Sequence, residues 1–242
     1  MKLSRIPGRY FRPITKLLPT GMILPIIRGP LKGKRWIVGA AAGDGKGLSI
    51  IINQSEPEQL KYAAGLLQDD FICFDIGANV GFYTLLFSLK AREVYSFEPL
   101  PRNLMYLAQM IRINSLSNVR IIPCAVSDAS GIRRFSDEKR HSLGHLSQNG
   151  TIPVLTTTCD QFVSETGISP QLLKIDVEGS EFSVLKGAHS LLQSAHPSIL
   201  LSTHSNELRE SCLSYLNTLG YKTIINLNSP DINHCSEFAI RY

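Results

Sequence analysis

The sequence predicts a doubly wound α/β fold whose sheet is mostly parallel and closes with a reversed strand. Three features predict this class. Short apolar runs alternate with helical patterns from Phe71 onward, a glycine-containing segment follows the first run, and the chain ends in two strand-like runs separated by a turn. With 242 residues, 43% of them apolar and 19% charged, the chain can bury one large core.

The first strand and helix form one βα unit. Residues 71–76 are almost continuously apolar, which is typical of a strand buried on both faces of a sheet. Residues 81–90 carry apolar side chains at the spacing of a helix that packs on that sheet. These side chains are Phe82, Leu85, Leu86 and Leu89.

The same alternation predicts the remaining elements. The later strands are short apolar runs at 94–97, 119–122, 172–175 and 198–201. The helices between them have apolar residues on one face, and they are expected after Pro101, over 181–192 and before Gly220. Runs 221–227 and 237–241 flank a turn and predict the closing antiparallel hairpin.

Two regions do not follow this alternation. Residues 1–60 are predicted to form an N-terminal extension of strands and turns that packs on a core domain at 61–242. The extension is basic, since nine Lys or Arg and no acidic residue lie in 1–35. This arm could contact an anionic membrane surface, a nucleic acid or an acidic partner, or be a solvated tail. Residues 133–150 predict a long polar loop, which either covers the active site or is an ordinary surface loop.

Composition indicates a cytoplasmic protein without a transmembrane segment. The most apolar stretch, 17–27, is interrupted by Pro19, Gly21 and Pro25 and is too short to span a bilayer. The five cysteines are odd in number and never in a CxxC spacing. Reduced thiols are therefore expected rather than disulfides or a zinc site.

Two motifs predict an adenosine-containing cofactor. Residues 75–81, Asp-Ile-Gly-Ala-Asn-Val-Gly, lie between a buried strand and a helix, where glycines let the backbone approach a ligand. Glu98 ends the next strand, where a carboxylate can accept hydrogen bonds from both hydroxyls of a ribose. The loop lacks the G-x-G-x-x-G pattern of dinucleotide sites, so S-adenosylmethionine is predicted rather than NAD. Asp75 would influence its amino group directly or through water.

A third motif, residues 172–179, is a buried strand followed by two carboxylates at its C-terminal edge, Asp176 and Glu178. Open α/β sheets bind ligands at that edge. The plainer interpretation is that Glu178 and Ser180 help to cap the following helix while Asp176 orders the loop. The two interpretations are compatible.

These residues together resemble the FkbM family of methyltransferases. The resemblance covers about 70–221 and rests on 74–84 (FDIGANVGFYT), 97–99 (FEP) with Asn103, 125–128 (AVSD) with Gly131, and 174–181 (KIDVEGSE) with 185–188 (LKGA). It implies a Rossmann-like class I methyltransferase fold with a seven-stranded sheet whose last strand is reversed. It also implies S-adenosylmethionine as cofactor and O-methylation of natural products or sugars.

The resemblance also implies a role for each matching position. The methionine part of the cofactor would contact Asp75, Gly77, Ala78, Asn79 and Gly81. Glu98 would bind the ribose, and Asp176 would lie beside the sulfonium and the acceptor. The loop with Cys124, Ala125 and Asp128 would face the adenine.

An alcohol acceptor must lose its proton as it attacks the methyl group, so a base is needed. Asp176, Glu178 and His204 are expected at the same sheet edge and are the candidates for it. They could instead hold a divalent cation that lowers the pKa of the hydroxyl, but no close ligand spacing supports this and no metal is predicted. The expected acceptor is a small hydroxylated molecule such as a sugar, a lipid headgroup or a natural product.

Three other functions compete with this prediction. A nucleic-acid methyltransferase is suggested by the basic arm, but Asp176 and Glu178 would repel a phosphate backbone. The exocyclic-amine enzymes usually have a Pro-Pro-Tyr type motif at that position. A nicotinamide-dependent oxidoreductase lacks its glycine spacing here, and a non-catalytic protein would bind the cofactor without turnover.

Overall fold

The computed structural model describes residues 18–41, 46–136 and 144–242. Among these the strands are β1 (Ile23–Pro25), β2 (Arg35–Ile37), β3 (Ile72–Ile76), β4 (Glu93–Phe97), β5 (Val119–Ile122), β6 (Ala125–Val126), β7 (Gly131–Ser136), β8 (His145–Leu146), β9 (Ile152–Thr157), β10 (Leu172–Ile175), β11 (Ser198–Ser202), β12 (Thr223–Asn226) and β13 (Glu237–Arg241). The helices are α1 (Leu48–Ile51), α2 (Pro57–Leu66), α3 (Phe82–Phe87), α4 (Pro101–Ile113), α5 (Cys159–Thr166), α6 (Glu181–Lys186), α7 (His189–Ser194) and α8 (Asn206–Thr218).

The central sheet has seven strands in the order β12-β13-β11-β10-β3-β4-β5. Neighbouring strands from β11 to β5 are parallel, whereas β13 is antiparallel to both β11 and β12. The predicted mostly parallel sheet with a reversed last strand is therefore confirmed. The strand order reverses between β3 and β10, which is where open α/β sheets bind ligands.

Helices cover both faces of this sheet, as a doubly wound fold requires. Successive residues of β3 point to opposite faces, so Cys73 packs in one core and Phe74 in the other. The first core includes Leu60 of α2 and Met110 of α4. The second core is formed with α5, α6, α7 and α8 and includes Leu216.

The N-terminal residues that the structure describes pack into the first core. β1 and β2 form an antiparallel pair, and Trp36 of β2 is fully buried with its ring edge-on to Phe82 at 6.1 Å. The boundary predicted at residue 60 falls inside α2. Residues 1–17, which include much of the predicted basic arm, lie outside the described part of the chain.

The stretch 133–150 is more regular than the predicted loop. Its first residues belong to β7, which pairs antiparallel with β9, and β8 adds to the other edge of β7. Together with β6 these strands form a second sheet in the order β6-β9-β7-β8. Phe135 is buried on its inner side, whereas Ile132 is exposed, so the alternation of a strand is present in a polar sequence. Residues 137–143, with His141, lie outside the described ranges.

The single helix predicted over 181–192 is divided into α6 and α7. Gly187 packs against the carbonyl oxygen of Ser127 so closely that a Cβ there would overlap it. The Gly187 carbonyl accepts a hydrogen bond from the Asp160 N–H, and the Asp160 carboxylate accepts from the N–H groups of Ser190 and Leu191. Asp160 therefore caps a new helix start, which the apolar spacing alone did not reveal.

Candidate active site

The carboxyl ends of β3, β4, β10 and β11 meet at one edge of the sheet. The residues predicted for the site follow these ends, with Gly77, Ala78 and Asn79 after β3, Glu98 after β4, Asp176 and Glu178 after β10, and His204 after β11. The structure thus brings together the residues of three motifs that are distant in sequence. This edge is the expected position of a ligand site in such a sheet.

Gly77 allows the loop after β3 to lie directly against the loop after β10. Its φ is +80°, and a Cβ would overlap the carbonyl oxygen of Asp176. The N–H groups of Gly77 and Ala78 both donate to the carbonyl of Phe97 at 3.0 Å. This glycine is therefore required for close packing of two loops as well as for a turn.

We expect Gly77→Ala to destabilise the protein by about 3 kcal/mol, because it combines a left-handed backbone with overpacking. Urea unfolding measures the loss. Gly167→Ala is the matched control, since Gly167 also has a positive φ, +71°, but no heavy atom lies within 4 Å of the position that a Cβ would take. Equal losses in the two variants would show that the contact with Asp176 is unimportant.

Glu98 is buried and held by three donors. Its Oε2 accepts from the Asn79 N–H at 2.9 Å, and its Oε1 accepts from the Leu100 N–H at 2.9 Å and from Asn103 Nδ2 at 3.2 Å. Burial raises the pKa of Glu98, and these hydrogen bonds oppose that rise. A carboxylate has about four acceptor positions, so Oε2 remains able to bind a ribose hydroxyl.

A cleft opens beside Glu98, and we call it the main cleft. Gly77, Asn79 and Asp176 line it, and so do Ala125 and Val126. Phe135 and Leu146 of the second sheet also line it, as do the carboxylate-bearing residues Glu98 and Glu178. The stretch 133–150 therefore contributes apolar side chains to the site, as one of its two sequence interpretations expected.

Three residues predicted for cofactor binding line neither the main cleft nor the cavity next to it. Asp128 forms ion pairs with Arg133 at 3.0 Å and Lys186 at 3.1 Å. Cys124 packs in the second core, and burial raises the pKa of its thiol to about 11. Gly81 precedes α3 and lies against Leu107. Ala125, which follows Cys124 in the same loop, does line the main cleft.

The neighbouring cavity, which we call the side cavity, shares Gly77, Asn79 and Asp176 with the main cleft. Its other walls include Asp75 and Ala78 from the glycine loop, and Trp36, Ser55, Glu56, Tyr83 and Lys174. Asp75 is buried and accepts a hydrogen bond from Thr84 Oγ1 at 2.6 Å. Burial raises the pKa of Asp75 to about 6, against the effects of Thr84 and Lys174.

Lys174 is a fully buried cation beneath this cavity. Its Nζ lies 3.4 Å from Asp176 Oδ2, 4.0 Å from Glu237 Oε2 and 4.9 Å from the centre of the Tyr83 ring, and it donates to Ser202 Oγ. Burial alone would lower the pKa of Lys174, but the charges of Asp176 and Glu237 raise it. Burial raises the pKa of Glu237 to about 7 despite Lys174. The lysine therefore stays charged and orients Asp176.

Replacing this lysine by Met is expected to cost about 3–5 kcal/mol of unfolding free energy, because two carboxylates lose their buried counter-charge. Chemical denaturation of Lys174→Met measures it. In the double variant Lys174→Met/Glu237→Gln we expect the loss of unfolding free energy to be about 1–3 kcal/mol smaller than the sum of the losses in the two single variants. The control Lys222→Met removes an exposed lysine and should change stability by less than about 0.5 kcal/mol. Additive losses in the double variant would contradict the buried pair.

The three base candidates form a compact group, which we call the acid–imidazole cluster. His204 Nε2 lies 3.2 Å from Glu178 Oε2 and 3.6 Å from Asp176 Oδ1. His204 Nδ1 lies 2.6 Å from Oε1 of Glu181, which has no exposed surface. Burial alone would lower the pKa of His204, but the hydrogen bond to Glu181 and the charges of Glu178, Glu181 and Asp176 raise it to about 9.

The helix-capping interpretation of this motif is wrong in one respect. Ser180 occupies the N-cap position of α6 but its side chain makes no capping hydrogen bond. Glu181, the first residue of α6, accepts from the Gly179 N–H at 3.0 Å, a donor that precedes the N-cap. The Glu181 carboxylate lies in the first turn of α6, at the positive end of the helix dipole, and its Oε1 also contacts His204.

Sequence reasoning missed several residues of the site. The apolar spacing places Lys174 in a strand and Glu181 at the start of a helix, and it assigns a role in the site to neither. Trp36 and Glu56 come from the N-terminal residues, where no motif is recognisable. A lysine inside a buried strand was the one usable signal, because a fully buried lysine needs carboxylate partners.

The seven-stranded sheet with one reversed strand, and a cleft where the strand order reverses, define a class I methyltransferase architecture. The model of the methyltransferase FkbM domain matches residues 75–223. The chain therefore belongs to the FkbM methyltransferase family, as its motifs predicted.

Two curated relatives are similar to this chain. One is the hexuronic acid methyltransferase AglP of Haloferax volcanii, 30% identical over 53% of this chain and 54% of the relative. The other is Methyltransferase 1 of Beauveria bassiana, 26% identical over 52% of this chain and 61% of the relative. The chain thus spans little more than half the length of the curated relatives that it matches.

Among solved structures, the methyltransferase FkbM from Methylobacillus flagellatus KT has a TM-score of 0.54 and 19% identity. The likeness covers 85% of this chain and 56% of the other and concerns the fold alone. Within the described residues, no helix combines the length and apolarity that crossing a bilayer would need.

The cofactor of this family is S-adenosylmethionine, and the site fits it. Glu98 offers a carboxylate acceptor for a ribose, and Gly77 lines both the main cleft and the side cavity. Trp36 lines the side cavity, and its Nε1 is a buried donor with no hydrogen-bond partner among the described residues. A carboxylate on the ligand would satisfy such a donor.

Proposed function

We propose that this chain transfers a methyl group from S-adenosylmethionine to an oxygen atom of a small hydroxylated acceptor, a sugar in the first instance. The observation that carries the proposal is the shared position of Asp176, which lines the main cleft and the side cavity and belongs to the acid–imidazole cluster. A ligand in the cleft and an acceptor at the cluster would meet at this residue. The hexuronic acid methyltransferase among the relatives supports a sugar as acceptor.

The two cavities would bind different parts of the cofactor. The main cleft would hold the adenosine, with Glu98 on the ribose and Ala125 and Val126 beside the base. The side cavity would hold the amino-acid part, with the Trp36 N–H, which has no partner in the described part of the chain, for its carboxylate and the acidic groups Asp75 and Glu56 for its ammonium. When bound, the cofactor supplies an electrophilic methyl group on a sulfonium.

The acceptor oxygen would lie against the acid–imidazole cluster. His204 also lines a surface depression with Asn206, Arg209 and Asn233, whose amide and guanidinium groups suit the hydroxyls of a sugar. Asp176, Glu178 and His204 would activate the attacking hydroxyl, and the loop packing at Gly77 fixes Asp176 in position. Holding the acceptor in line with the methyl group would supply much of the rate enhancement.

Nucleic acid is a poor acceptor for this site. The cluster presents two partly exposed carboxylates, Asp176 and Glu178, beside one imidazole, and these would repel a phosphate backbone. A nicotinamide-dependent oxidoreductase is disfavoured by the family and by the dinucleotide pattern, since Asn79 and Phe82 stand where its second and third glycines would be.

Two measurements test the proposal. Calorimetric titration with S-adenosylmethionine, S-adenosylhomocysteine and NAD should show binding of the sulfur compounds only. Incubation with methyl-labelled cofactor and a panel of hexoses, hexuronic acids, lipid headgroups and oligonucleotides should label sugar oxygen. Binding of NAD alone, or label in the oligonucleotides alone, would refute the proposal.

A further inference from the structure

We propose that Asp176, Glu178 and His204 form a binding site for a divalent cation of the first transition row, such as Mn²⁺. Their ligand atoms all lie within 4.8 Å of one another at the edge of the main cleft. The inference rests on the proposed function in one respect, since the cation would act on the acceptor. Cation binding itself can be measured without a cofactor or an acceptor.

The distances within the cluster suit a shared ion. Ligands at about 2.1 Å from an octahedral cation are about 3.0 Å apart when adjacent and about 4.2 Å apart when opposite. His204 Nε2 lies 3.2 Å from Glu178 Oε2 and 3.6 Å from Asp176 Oδ1. Small rotations of these partly exposed carboxylates would therefore complete the three protein ligands.

The position of Glu181 is the second, independent observation. A metal-bound histidine nearly always donates its other ring N–H to a carboxylate, which fixes the tautomer and the ring orientation. Glu181 makes this contact with Nδ1 at 2.6 Å, and its side chain has no exposed surface. Its other oxygen, Oε2, has no hydrogen-bond partner among the described residues. Nε2 is thereby directed at Asp176 and Glu178.

The local charges also favour a cation. Asp176, Glu178, Glu181 and Glu237 are four carboxylates; among the described residues Lys174 and, when protonated, His204 form ion pairs with them, and the charge of His145 also acts on Glu178. One Nε2–H cannot donate well to two carboxylates at once. A divalent cation beside a neutral imidazole would reduce the excess negative charge further than a proton does.

The donor set indicates the kind of cation and its role. Two carboxylate oxygens and one imidazole nitrogen suit Mn²⁺ and its neighbours in the first transition row, whereas Ca²⁺ takes oxygen ligands. Three protein ligands leave positions open for acceptor oxygens. A bound hydroxyl there would have a lowered pKa and a fixed orientation.

Titration of the purified full chain with Mn²⁺ alone, followed by the loss of the free-ion EPR signal, tests the site. We expect one saturable site per chain, weakened at least tenfold in Glu178→Gln and in His204→Gln, and about tenfold in Glu181→Gln. Glu178 is partly exposed, so its variant keeps the fold. The control is His234→Gln, because His234 also contacts a carboxylate, Asp231 at 2.7 Å, but on the exposed surface.

Loss of binding in the cluster variants and its retention in His234→Gln would establish the site. No saturable binding, or equal binding in all four variants, would overturn it. Methyl transfer that continues undiminished after chelation would overturn the cation's role at the acceptor and leave the proposed function intact. Specific Mn²⁺ binding by a protein that binds no S-adenosylmethionine would support the site and refute the proposed function.

Discussion

Glu98→Gln is expected to weaken the binding of S-adenosylmethionine about 10- to 100-fold. The substitution keeps the length of the side chain but replaces a charged acceptor by an amide, and a hydrogen bond to a charged group contributes about 1.5–3 kcal/mol. The amide would also turn an NH₂ group towards the donors of Asn79 or Leu100. Calorimetry with S-adenosylhomocysteine measures the affinity without turnover.

Glu93→Gln is the matched control for this variant. Glu93 begins the strand that Glu98 follows, and its carboxylate contacts Tyr95 and Arg120 at the opposite end of the sheet. Its affinity for the cofactor should be unchanged within twofold. Asn103→Ala removes one donor to Glu98 Oε1 and should cause an intermediate loss. If Glu98→Gln binds as tightly as the wild type, the ribose does not lie on Glu98.

The parts of the fold that were predictable are those where side-chain spacing follows secondary structure. β5 and β10 begin and end where the apolar runs do. The closing hairpin was expected to begin at Tyr221, but β12 begins at Thr223. Tyr221 is fully buried outside the strand, where its hydroxyl donates to the Pro197 carbonyl. An apolar residue next to a strand does not reveal whether it continues the ladder.

The parts that were not predictable depend on contacts between distant segments. The break between α6 and α7 is caused by contacts with Ser127 and Asp160. Both residues are distant from Gly187 in the sequence, so the local pattern around Gly187 does not predict the break. β7 carries Arg133 and Arg134, and its polar composition conceals a strand that covers the main cleft. Periodicity describes one element at a time, so partners contributed by another segment stay hidden.

The same distinction applies to the site. The strand ends were predictable, and parallel topology then requires that Asp176 and His204 lie at one edge. The spacing could not show which side chains contact these two residues and hold them in place. Glu181 reaches His204 only because α6 and the loop after β11 pack together, and Lys174 reaches Glu237 only through the reversed strand β13. These contacts determine how the predicted residues are oriented.

His204→Gln is expected to lower the rate of methyl transfer about 100-fold or more while cofactor affinity changes less than threefold. His204 contacts both carboxylates of the cluster but does not line the main cleft or the side cavity. A residue that assists deprotonation of the acceptor typically contributes about 10²–10⁴ in rate, through proton transfer or through a bound cation. Single-turnover rates with labelled cofactor and a sugar acceptor measure the first quantity, and calorimetry the second.

His189→Gln provides the control, since His189 pairs with the Tyr215 hydroxyl at 2.7 Å on an exposed helix start. Its rate should stay within twofold of the wild type. The split between rate and affinity is the informative result, because damage to the fold would lower both. An unchanged rate in His204→Gln would remove the imidazole from the mechanism and leave Asp176, the residue where the two cavities meet, as the group beside the acceptor. A parallel loss of affinity in a variant whose unfolding temperature is unchanged would instead place His204 in contact with the cofactor.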